Sequence, residues 1–192
     1  MPKKDGLRTF DPRKVARYEK ENYIAYYQKA WLKLLRASVG MVGEAYGLSF
    51  FEAVYGAYLI ARAEIAFAPV PDNDGPRAQT YMRRFFEFLN RTHGLSIPVE
   101  EAARVELHWW GEHRRLFANP ENDELVEAVA HTYAVQYGRA TPGMRQAAYH
   151  RVQGMLYSDQ WVNAGKAPNS PLLEKEEEEL LKGYVALKEA LQ

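Results

Sequence analysis

Glu106, Trp109 and His113 are spaced three and four residues apart and share one face of a helix expected over about 98–117, together with Ala102 and Leu116. A carboxylate and an imidazole beside an indole can tune each other for proton transfer or hold a small ligand. The same residues serve equally as internal hydrogen bonds, Glu106 to Arg62 or His113 to a tyrosine. At 1.5 Å of rise per residue, Glu106 and His113 lie about 10 Å apart, so a third group must sit between them.

Two further charges interrupt the most apolar stretch of the chain, Phe50 to Ala68. Arg62 and Glu64 there each need a partner, because burying either alone is costly. Arg62 is expected to meet Glu106 or an anionic ligand, and Glu64 to meet Arg84 or Arg114. Glu106, His113, Trp109, Arg62, Glu64 and Arg114 are therefore the candidate pocket residues.

Other chemistries lack their residues. The absence of cysteine removes thiolate nucleophiles, disulfides and sulfur-rich metal sites together. None of His93, His108, His113, His131 or His150 has a glutamate three residues before it, the spacing of di-iron bundles, and no metal is expected. Glu127 with His131, and His108 with Glu112, read as surface pairs. Asp72-Asn73-Asp74-Gly75 resembles the start of a calcium loop, but Arg83 stands where the twelfth-position glutamate belongs, so the segment reads as a capped turn. No cofactor motif is present and no cofactor is expected. Tyr23, Tyr27 and Trp31, Tyr55 and Tyr58, and Phe85, Phe86 and Phe88 stand at helical spacing, as core residues or as the lining of a pocket for a flat ligand.

The elements that must position these residues announce themselves by their ends. Asp11-Pro12, Gly75-Pro76, Ile97-Pro98, Asn119-Pro120, Thr141-Pro142 and Ser170-Pro171 each precede an apolar stripe, and proline in the first helical turn loses no hydrogen bond. Ser49 and Glu52 form a capping box, while Gly47, Gly94 and Gly138 follow apolar runs as left-handed stops. The expected helices span about 12–46, 49–68, 76–93, 98–117, 120–138, 142–160 and 171–191. Short turns between them favour a compact antiparallel all-α bundle of six or seven helices. Gly40 and Gly43 mark a close helix crossing.

The 192 residues read as one all-helical domain, with an N-terminal tail over 1–11 and a linker over 161–170 leading to a charged last helix. Met1 to Gly6 carries lysines but leads into no apolar signal region, and no membrane span is expected, since Phe50–Ala68 carries Glu52, Arg62 and Glu64 and reads as a buried core helix. A cytoplasmic protein is expected. With 25 basic and 25 acidic residues the formal charge is zero, which argues against a nucleic-acid partner. Arg83, Arg84, Arg91, Arg114 and Arg115 are the one local basic cluster.

Pro71-Asp72-Asn73-Asp74, the run Glu106 to Arg114 and the run Ser158 to Gly165 resemble an uncharacterised family of small helical bacterial proteins. The resemblance spans most of the chain and implies an all-helical fold; it carries no activity and no catalytic residues. Ferritins, haem oxygenases and thiaminase-type bundles differ at their motif residues. A non-enzymatic binding or scaffold protein that self-associates through helix faces, as a homodimer, is the expected function; the alternative is a small-molecule binder or enzyme using the Trp109 pocket.

Overall fold

Nearly every predicted stop and most predicted starts are realised in a computed structural model, which describes residues 6–192. A short 3-10 turn at Gly6–Arg8 precedes eight α-helices: α1 Pro12–Tyr27, α2 Trp31–Tyr46, α3 Phe50–Phe67, α4 Gly75–His93, α5 Val99–Arg115, α6 Asp123–Tyr137, α7 Thr141–Asn163 and α8 Pro171–Ala190. No strand occurs among the described residues. Asp11, Asp74 and Ser170 accept hydrogen bonds from Arg13 N, Arg77 N and Leu172 N at the starts of α1, α4 and α8. Glu52 closes the capping box on Ser49 N at 2.8 Å. Gly47, Gly94 and Gly138 all adopt the left-handed conformation, at φ of 60°, 65° and 62°.

Several expectations need correction. The long helix over 12–46 is two helices, reversed through Gln28-Lys29-Ala30 with Lys29 at φ 57°. A continuous helix of that length would run about 50 Å, beyond the roughly 30 Å span of a small domain, and would leave its faces uncovered. Folded back, α1 and α2 pack so closely that a Cβ on Gly40 would lie 2.6 Å from the Tyr18 ring, and one on Gly43 would lie 3.2 Å from the Ala53 Cβ of α3. Pro120 belongs to the turn before α6, where Asn119 accepts from Glu121 N. The supposed linker begins only after Asn163, because Trp161 is fully buried and donates its indole N–H to Ala167 O at 2.8 Å. The N-terminal tail is packed from Leu7 onward, with Leu7 and Phe10 both in the core; residues 1–5, where the signal reading falls, lie outside the described residues. Finally, α3 is buried on one side only.

Each helix packs on its chain neighbours, and α8 returns to pack on α1, so the eight helices form a closed cycle. Two apolar clusters fill it. The first joins Phe10 and α1 to α6, α7 and α8 around Val129, Val152 and Leu187. The second joins α3, α4 and α5 around Leu59, Phe85, Phe86 and Ala102. Tyr137 touches both. At the α7–α8 contact Gly154 admits Leu180, which a Cβ would meet at 2.8 Å. One carboxylate is enclosed beside it: Glu176 is 1% exposed, and its Oε2 has no hydrogen-bond partner. No helix among the described residues is long and apolar enough to cross a membrane.

Candidate functional site

The consecutive tryptophans of α5 face different clusters, Trp109 the first and Trp110 the second. Glu106, one turn earlier, stands at the seam between them. Its carboxylate accepts from Trp109 Nε1 at 2.9 Å and from Gln136 Nε2 on α6 at 2.8 Å, with a further hydrogen bond from Trp110. Burial pushes its pKa up, while Arg151 and these three donors pull it back. The expected Arg62 pairing does not form. Arg62 reaches Tyr58 Oη at 3.2 Å and lies over the rings of Tyr81 and Tyr58, at 5.0 and 5.8 Å.

The group between Glu106 and His113 is Trp109 itself. Its ring lies 6.5 Å from the His113 ring, and the Arg151 guanidinium covers it at 5.1 Å. Trp109 is half-buried, with these polar groups packed against its ring. Arg151, from α7, is in turn held by Glu19 of α1 at 2.8 Å, and Glu19 also accepts from the Tyr184 hydroxyl of α8. Three helices are thus tied by one half-buried ion pair and the hydrogen bond it shares with Tyr184.

His113 finds its partner on α7 in Asp159, with Nε2 at 3.1 Å from Oδ2. Asp159 is 2% exposed and fully engaged, since it also accepts from Tyr23 Oη at 2.5 Å and from Ala118 N at 3.0 Å. The Tyr23 hydroxyl is driven far up by burial and by the Asp159 charge, so it remains a donor. The arrangement orients the imidazole and satisfies every oxygen of the buried acid.

Glu64 meets neither Arg84 nor Arg114. Arg84 lies over the Tyr81 ring at 5.6 Å, while Arg114 donates to Phe67 O at 3.0 Å and covers the Phe67 ring at 4.6 Å. Glu64 is exposed, and the protein packed against it and the Glu106 charge push its pKa up. Of the six candidates, α5 therefore brings Glu106, Trp109 and His113 into one polar network, which Arg62 and Arg114 do not join. Sequence reasoning missed Glu19, Gln136, Arg151 and Asp159, and read Tyr23 as core or as the lining of a flat-ligand pocket. Asp159 and Ser158 stood in a segment singled out for its resemblance, but no local spacing marked their partners. No group of three or more potential metal ligands converges among the described residues.

A second feature lies on the outside. Leu32 and Leu35 of α2, and Phe51, Val54, Tyr58 and Ile65 of α3, are exposed, Leu32 and Phe51 to 85% and 84%. Positions 51, 54, 58 and 65 share one face of α3. Trp31 and Phe50 extend the surface at its margins. Trp31 and Tyr58 were read as core or pocket residues and the α3 residues as part of a buried core helix; all of them are exposed.

No family model, curated protein or solved structure matches the chain in comparisons with known proteins.

Proposed function

We propose that the protein acts as a binding or scaffold protein that self-associates through the outward face of α2 and α3. The single observation that carries this reading is the size of the apolar surface there. Nine large apolar side chains stand exposed on the two helices. At about 150–250 Å² for a large side chain, they present on the order of 1,000 Å². The largest apolar patch of a typical monomer is about 300–600 Å², and a standard interface takes roughly 800 Å² from each partner. A two-fold dimer uses the same patch on both copies, which suits a surface whose exposed apolar side chains outnumber the exposed charges among them, Lys33, Arg36 and Glu64. The polar candidates inside the fold support the same reading, because Glu106, His113, Arg62 and Arg114 each have partners within the protein.

Analytical ultracentrifugation tests it. Wild type should sediment as a dimer at micromolar concentration, and Leu32→Glu with Phe51→Glu should sediment as a monomer with unchanged helical circular dichroism. A wild-type monomer throughout the high micromolar range, or a double variant that remains dimeric, would overturn the proposal.

A further inference from the structure

A cavity of about 190 Å³ lies under the α4–α5 turn, walled by Leu7, Leu95, Ile97 and Val135, with Gln136 and Tyr137 completing it. We propose that this cavity is a binding site for a small aromatic molecule carrying one hydrogen-bond donor, a phenol or an aromatic amine. Size sets the first limit. An apolar cavity of about 150 Å³ accepts benzene, so this one accommodates a single ring with one or two further heavy atoms.

Gln136 sets the second. It is 8% exposed, and its Nε2 donates to Glu106 Oε2 at 2.8 Å. Because a carboxylate only accepts, that bond fixes which end of the amide points inward. The carbonyl oxygen is left without a protein partner, and Gln136 helps to line the cavity. An acceptor held in one orientation on a mostly apolar wall selects a ligand with a donor over an isostere that lacks one.

The surrounding backbone has the same sign. α4 ends two residues before Leu95 and α6 one residue before Gly138, both of which line the cavity, so two helix C-termini with their partial negative charge lie beside it. An anionic ligand is disfavoured there. Arg8 stands at the rim, where its guanidinium can cover the face of a bound ring. Occupancy is also coupled to the interior, since the amide that would receive the ligand's proton donor holds Glu106, and Glu106 holds the indole of Trp109.

Phenol and anisole are the probes, followed by saturation-transfer NMR and by tryptophan fluorescence. Phenol should bind wild type in the millimolar range or tighter and shift the tryptophan emission. Anisole, with its donor methylated, should bind about tenfold more weakly, the loss of one hydrogen bond. Val135→Phe, which fills the cavity, should abolish binding while keeping the circular dichroism of wild type. Gln136→Met should reduce the preference for phenol over anisole to near unity. No phenol binding by wild type, equal binding of the two probes, or unchanged binding by folded Val135→Phe would each overturn the proposal.

Discussion

Replacing Glu176 by glutamine should make the protein more stable, and by an amount that depends on pH in a defined way. The carboxyl is 1% exposed at the α7–α8 contact, with Oε2 unpartnered. Burial raises its pKa from 4.5 to about 8; a hydrogen bond with Ser158 opposes this and the Glu19 charge adds to it. The folded protein therefore keeps a proton that the unfolded chain releases near pH 4.5, and stability falls as pH rises between those two values. At about 1.4 kcal/mol per pH unit the full loss approaches 5 kcal/mol, which is a third or more of the roughly 5–15 kcal/mol available to a domain. Glutamine mimics the protonated acid at every pH. Urea unfolding of wild type and Glu176→Gln, followed by circular dichroism from pH 5 to pH 9, should show a small difference at pH 5 that grows in favour of the variant up to about pH 8 and then levels off. A difference that stays constant across that range would refute the reasoning, because it would mean that the buried carboxyl ionises at the same pH in both states.

Asp159→Asn should destabilise by about 2–4 kcal/mol in thermal or urea unfolding, since one of its three donors, from Tyr23, His113 and Ala118 N, must then face an amide N–H₂. A loss below about 1 kcal/mol would show that the network can rearrange around the amide. Gly40→Ala should cost about 1–3 kcal/mol by pushing the Tyr18 ring, which a Cβ would meet at 2.6 Å, out of its packed position. An unchanged melting temperature would mean that the Tyr18 ring swings aside at no cost.

Helix ends were the legible part of this fold, because a glycine in the left-handed region or a proline in the first turn acts within a few residues of where it is read. The break between α1 and α2 was not, since Lys29 takes a conformation normally left to glycine and the packing of α1 on α2 that accompanies it has no local signal. The face shared by Glu106, Trp109 and His113 followed from periodicity alone. Their partners did not: Asp159 is 46 residues from His113 and 136 from Tyr23, and Glu19 is 132 from Arg151. Spacing along one helix cannot identify what another helix brings to it. The α3 error has a related cause. Apolar residues spread all round that helix read as a fully buried element, whereas they serve the core on one side and the exposed surface on the other.

Closure of the helix cycle has a kinetic consequence. α8 packs first on its own neighbour α7, a contact across a short turn, whereas its contact with α1 joins opposite ends of the chain: Lys188 donates to Phe10 O across 178 residues, and the Phe10 and Tyr184 rings meet edge to face at 6.2 Å. Contacts of such separation form only after the intervening loop entropy has been overcome, so the α1–α8 seam belongs to the last stage of folding. Interactions absent from the transition state govern how fast a protein opens rather than how fast it forms. The seam therefore sets the lifetime of the native state, and loosening Phe10 or Tyr184 accelerates unfolding while leaving the refolding rate nearly unchanged.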